Sequence, residues 1–278
     1  MRSPVAKGSS MPHSRTELCS VVAALALAWA FAATPSLAQE TAVDAAFGMA
    51  SRLDGAGGGI SSSELMSVLE AAAANGQPTA LWQLGQMYEN GEGVAKDKVK
   101  AFGYFNQIAV EHADVAPRSV DADIVAQSFV KVGQYYRDGL PEAGVQPNVV
   151  EYERRVQHAA TYFGNADAQY LLGEMYTDDK ALGDIPKLSY RWLTMAARKG
   201  QAQAQARLGD MVFNGDGVAA NPEEGLMWLT VASRRVAGTP DEVWVAELLQ
   251  GAMSVATPEQ RKRGIELADT LGPRFGGL

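Results

Sequence analysis

Residues 201–235, QAQAQARLGDMVFNGDGVAANPEEGLMWLTVASRR, read as a single helical hairpin. Ala204, Leu208, Met211 and Val212 fall at i, i+4, i+7 and i+8, the spacing of one buried helical face. Asn214-Gly215-Asp216-Gly217 ends that helix, because glycine adopts the left-handed backbone of a helix end without steric cost. Asn221 is placed to cap the next helix, and Pro222 suits its first position, where an N–H would have no partner. The second helix presents Gly225, Trp228, Leu229, Ala232 and Ser233. Gly209 and Ala232 are small enough for the two backbones to approach closely, with Trp228 filling the space beside them. Such a pair cannot bury both of its faces alone, so the hairpin predicts neighbours of its own kind.

Those neighbours are visible upstream. Leu84-Gly85, Val132-Gly133, Leu172-Gly173 and Leu208-Gly209 form one column, at spacings of 48, 40 and 36 residues. Ala80, Ser128, Ala168 and Ala204 stand four positions before it. Met87-Tyr88, Tyr135-Tyr136, Met175-Tyr176 and Met211-Val212 follow it. The turns read Gly91-Glu92-Gly93-Val94 in the first copy and Gly215-Asp216-Gly217-Val218 in the last, and the two middle turns are irregular. In the second helices Tyr104, Arg155, Trp192 and Trp228 align, followed by Ile108-Ala109, Ala159-Ala160, Ala196-Ala197 and Ala232-Ser233. Periods of this length with two helices each predict an all-α stacked solenoid.

The flanks are different. Arg2, Lys7 and Arg15, an apolar run over 21–33, and Ser36-Leu37-Ala38 predict a signal peptide over 1–38, cut after Ala38, with Met1 or Met11 as the start. Residues 39–76 read as a degenerate N-terminal helical cap. Within it, 55–59 is a glycine-rich break and Ser61-x-x-Glu64 a capping box. Residues 77–235 hold about four hairpins, and 236–278 carry two C-terminal capping helices with a frayed tail from Pro273.

The whole sequence has 24 basic and 32 acidic residues, and loss of 1–38 with Arg2, Lys7, Arg15 and Glu17 brings the net charge to −10. That balance argues against nucleic acid and against an anionic membrane surface. No later stretch is long and apolar enough for a membrane helix. Cys19 leaves with the leader, so the exported part is expected to fold without disulfides.

Taken in order, the alanine, Leu-Gly, Met-Tyr, Gly-x-Gly-Val, Trp and Ala-Ala columns resemble Sel1-like repeats, relatives of the tetratricopeptide solenoid, from 73 to about 233. The leader, the weak first hairpin, YFGNADAQY at 162–170 and GLMWL at 225–229 together resemble the ExoR-type periplasmic regulators of exopolysaccharide production. That resemblance implies a periplasmic negative regulator. It would bind the periplasmic domain of a sensor histidine kinase, hold the kinase off, and be removed by a periplasmic protease. A scaffold or assembly adaptor for another envelope complex is the alternative that any such array would serve.

No catalytic residue, cofactor or metal site is expected. After export His112 and His158 are the only histidines, and neither has a ligand partner at helical spacing. The glycine turns each carry an acid that would repel phosphate. What remains is a binding face. Two positions before each Leu or Val of the main column stand Trp82, Val130, Tyr170 and Ala206, and one position earlier Leu81, Phe129, Gln169 and Gln205. Leu81, Trp82, Phe129 and Tyr170 are the candidate partner-binding residues, unless these columns pack against neighbouring repeats instead.

Overall fold

The computed structural model describes residues 62–177 and 185–276, with side chains from Leu65 onward. The signal segment, its cut after Ala38, the 55–59 break, the Ser61–Glu64 capping pattern and the turn at 178–184 lie outside the described residues. The chain divides into two compact units, Met1–Val68 and Leu69–Leu278. Of the first, only the opening of helix α1 (Ser62–Ala74) is described.

The second unit is built from hairpins. Helices α2 (Pro78–Asn90) and α3 (Lys98–Glu111) form the first, α4 (Ala122–Asp138) and α5 (Val149–His158) the second. Helices α6 (Ala166–Met175) and α7 (Pro186–Arg198) form the third, α8 (Ala202–Asn214) and α9 (Pro222–Arg235) the fourth. Each second helix also packs on the first helix of the following hairpin, so every pair buries what it could not bury alone. Helices α10 (Glu242–Val255) and α11 (Pro258–Leu271) cover the last hairpin, α11 against α9. Among the described residues there is no strand beyond one isolated bridge, Leu140 with Val145. No described helix is long and apolar enough to cross a membrane.

One hydrogen bond recurs at every hairpin turn. The N–H groups of Asp97, Asn148, Ile185 and Asn221 donate to the carbonyls of Tyr88, Tyr136, Tyr176 and Val212 at 2.8, 2.7, 2.9 and 2.8 Å. The same bond thus spans both middle turns, which are irregular in sequence. Gly91 and Gly215 take φ of 82° and 88°, and each N–H returns to the methionine carbonyl four residues back. Asp97, Asn148 and Asn221 cap the helices that follow. Ile185 has no capping side chain, and Pro186 supplies the first-turn residue there.

At three of the four main-column positions glycine is required by close approach. A Cβ built on Gly85 would lie 2.5 Å from the Phe105 ring, on Gly173 2.7 Å from Leu193, and on Gly209 2.8 Å from the Leu229 backbone nitrogen. The residue that fills the space at Gly209 is thus Leu229, where Trp228 was expected. Trp228 turns toward Met211, Met227 and Ala268, and Ala232 packs with Ala206, Val236 and Val245. One residue around a helix is 100°, enough to move a side chain from one interface to the next.

The second copy carries one residue more than the third between its Ala-Ala pair and its glycine. That residue is absorbed as a π-helical turn over Ala159–Phe163. Asn165 N–H reaches back six residues to Ala159, where Gln201 in the next copy reaches back five to Ala196. The wider turn gathers aromatic rings: His158 lies 4.5 Å from Phe129 and 5.2 Å from Tyr162. His158 is half-buried within this cluster. His112 also has a structural partner, its Nε2 lying 2.9 Å from the Gly76 carbonyl of the preceding turn.

The tail is not frayed over its described part. Gly272–Arg274 form a 3-10 turn, Phe275 stacks on Trp228 at 4.4 Å, and Arg235 donates to the Phe275 carbonyl. The lack of period in these residues hides one aromatic anchor, and burying its ring is enough to dock them.

Candidate functional site

Leu81 and Phe129 are core residues, at 0% and 6% exposure, and offer no surface to a partner. Gln169 and Gln205 in the same column are 4% and 0% exposed. Their Nε2 groups donate to the Ala160 and Ala197 carbonyls at 3.2 and 2.9 Å, fastening each first helix to the end of the helix before it. The whole column serves packing, the second of the two roles open from sequence. The neighbouring column divides. Val130 and Ala206 are buried, whereas Trp82 and Tyr170 are half-exposed. Trp82 leans on Phe105 with ring centroids 5.0 Å apart.

Around Tyr170 the first helices form a polar groove. A cavity of about 290 Å3 is bounded by Gln127, Lys131, Asp167, Tyr170, Gln201 and Gln203. Its floor is a chain of amides and carboxylates crossing successive helices. Gln127 donates to Asp167 at 2.7 Å, Gln201 to the other Asp167 oxygen at 3.4 Å, and Gln203 to Asp241 at 2.8 Å. Tyr170 Oη donates to Glu174 at 3.4 Å, and Glu174 opens onto a second cavity of about 540 Å3 with Arg207, Asp210 and Asp216.

Two ion pairs that sequence reasoning missed bridge consecutive hairpins here. Lys131 reaches Glu89 at 2.6 Å and Arg207 reaches Glu174 at 3.4 Å, both basic residues standing just before the Leu or Val of the main column. That shared position was the signal that could have revealed them. The Arg207 guanidinium also lies 4.9 Å above the Trp244 ring. Tyr135 donates to Glu89, and burial together with that carboxylate pushes its phenol well up.

Burial dominates the electrostatics of the Glu174 end. It raises the Glu174 carboxyl above its ordinary value even though the Arg207 charge pulls the other way. Burial, then the Glu174 charge, pushes Tyr170 up to about 12. Asp210 is raised as well, again chiefly by burial. A carboxyl with a raised folded pKa holds its proton more tightly when folded, so it adds stability as pH falls through that pKa and withdraws it as pH rises. Glu174→Gln is therefore expected to be better tolerated at pH 7 than at pH 4. Thermal midpoints of variant and parent at both values check this, and a variant relatively worse at pH 7 would show that the Arg207 attraction outweighs burial.

The groove offers donors, acceptors and an aromatic edge to a protein segment. Among the described residues no three potential metal ligands converge.

The Sel1 repeat family model matches residues 78–109, 166–201 and 202–235. It is 28% identical over 137 residues to a Rhizobium meliloti (strain 1021) protein named exopolysaccharide production negative regulator, covering 49% of this chain and 50% of that one. A Rhizobium leguminosarum bv. viciae protein of the same name is 26% identical over 137 residues, with 49% and 51% covered. The match thus spans about half the length of these relatives. Among solved structures, a protective antigen of uropathogenic Escherichia coli superposes with TM-score 0.65 at 21% identity, over 87% of this chain and 46% of that one. A Sel1 repeat protein from Oxalobacter formigenes gives 0.61 at 24% identity, over 87% and 92%. Both likenesses establish the fold.

Proposed function

We propose that this Sel1-repeat protein is a periplasmic negative regulator of exopolysaccharide production that acts by binding, with no chemistry of its own. The observation that carries the reading is the likeness to two proteins named for that regulation, over a stretch about half the chain long. The bound partner in this proposal is the periplasmic domain of a sensor histidine kinase, held inactive until a periplasmic protease removes the regulator. Stacked hairpins support such a role, because they present a long face of spaced side chains without needing a deep pocket.

In this proposal the partner meets the first helices at Trp82 and Tyr170, the half-exposed members of their column. Deleting the gene should raise exopolysaccharide, and restoring it should lower it again. Tyr170→Ala should weaken affinity for the kinase's periplasmic domain by about 2 kcal/mol, the scale of a truncated anchor. Affinity is measured by calorimetry below the variant's thermal midpoint, so that folded protein is compared with folded protein. Unchanged affinity with a lowered midpoint would make Tyr170 a packing residue and move the contact elsewhere.

A further inference from the structure

The tail of the chain lies against α9 and the turn between α7 and α8. Phe275 covers Trp228, and Gly276 presses on that turn, where a Cβ built on Gly200 would lie 2.9 Å from the Gly276 Cα. What is left beside the Phe275 ring is a cavity of about 420 Å3 whose walls include Arg198, Glu224, Met227 and Trp228.

One hairpin earlier, equivalent positions line a cavity of about 510 Å3. Thr161, Leu188, Arg191 and Trp192 stand there in place of Arg198, Glu224, Met227 and Trp228. Gly164, with φ of 69°, stands in place of Gly200, with φ of 92°. The equivalence extends to the latch over each turn. A Cβ built on Gly164 would lie 3.1 Å from Lys199 Nζ, and one on Gly200 3.1 Å from Arg235 Nη1. In the last hairpin that latch holds the Phe275 carbonyl; in the third it holds the carbonyl of Gly164.

One further feature suits the earlier cavity to a ligand: Met195 adds apolar surface at its mouth, 37% exposed. We propose that this cavity, between α7 and the π turn after α5, docks an extended segment of a partner protein in which an aromatic residue is followed by glycine. Phe275 and Gly276 are the pattern for it. The ring lies on Trp192 as Phe275 lies on Trp228, and the glycine crosses Gly164 where a side chain would collide.

Charge selects the source. Arg191 has no ion-pair partner among the described residues and replaces the apolar Met227. It favours an acidic residue beside the incoming aromatic. The chain's own tail carries Arg274 at that place and is already held by Arg235, so a second copy's tail is disfavoured. Docking at this cavity does not depend on the regulated partner being a kinase.

The test uses the full chain and the synthetic peptide Gly-Pro-Glu-Phe-Gly-Gly-Leu, with the Trp192 indole N–H resonance assigned through Trp192→Phe. A saturable shift of that resonance is expected. Replacing the peptide's Phe by Ala, or filling the mouth with Thr161→Trp, should weaken binding by at least about tenfold, as loss of a true anchor does. If Thr161→Trp does not fold, Met195→Trp blocks the opposite side of the mouth. Shifts confined to the Trp228 indole would mean displacement of the tail and would overturn the proposal. Absence of saturation, or binding unaffected by the blocking variants, would do the same. Tighter binding of Gly-Pro-Arg-Phe-Gly-Gly-Leu, with self-association lost in Thr161→Trp, would overturn it in favour of a second copy.

Discussion

Gly209→Val is expected to lower the stability of the fold by about 3 kcal/mol, at the upper end of the cost of overfilling a packed interior. A Cβ at this position meets the Leu229 backbone nitrogen at 2.8 Å and the Gly225 carbonyl oxygen at 3.0 Å, and backbone atoms cannot swing aside as a side-chain tip can. Helices α8 and α9 would have to separate, and the clusters around Leu208 and Trp228 would loosen with them. The thermal midpoint should fall by roughly 10 °C for a unit of this size. Gly251→Ala is the control. It lies within α10 with nothing near its missing Cβ, so the substitution should stabilise by about 0.5–1 kcal/mol through helix propensity alone. Equal midpoints for the two variants would mean that the close approach of α8 and α9 does not hold the hairpin together.

Phe129→Ala carries the other large effect. Its ring is 6% exposed and is covered by His158 at 4.5 Å and Phe163 at 6.2 Å. Truncation removes the transfer energy of the ring and leaves a cavity beside the π turn, a loss of about 3–5 kcal/mol. Chemical denaturation with an unchanged slope reads it directly. The outcome also separates Phe129 from Tyr170, which stands one position further along in the repeat and whose half-exposed ring should cost less stability. A loss below about 1 kcal/mol at Phe129 would return it to the surface and reopen it as a partner contact.

The hairpins are legible in the sequence because they follow from period and punctuation. Leu84-Gly85 and its three counterparts mark where paired helices come close, and Asn221 with Pro222 marks where a second helix begins. These are local rules, acting within a few residues, so a linear reading reaches them. The candidate face is only half legible. Choosing between Leu81 and Trp82, or between the columns of Phe129 and Tyr170, means knowing which side of a first helix the preceding hairpin covers, and neighbouring residues differ by 100° around the axis. The ion pairs Lys131–Glu89 and Arg207–Glu174 are hidden for a related reason, since each joins residues more than thirty positions apart.

The sequence by itself determined the repeat, the glycine turns of its first and last copies, the all-helical class and the acidic balance of the chain. Only the tertiary structure decided that the Leu81 column is a fastening between hairpins, that the extra residue after Ala160 becomes a π turn, and that Phe275 closes over Trp228. The physical reason is common to all three. Helix formation and termination depend on neighbours in the chain, whereas burial depends on what packs across the groove, and no periodicity records that.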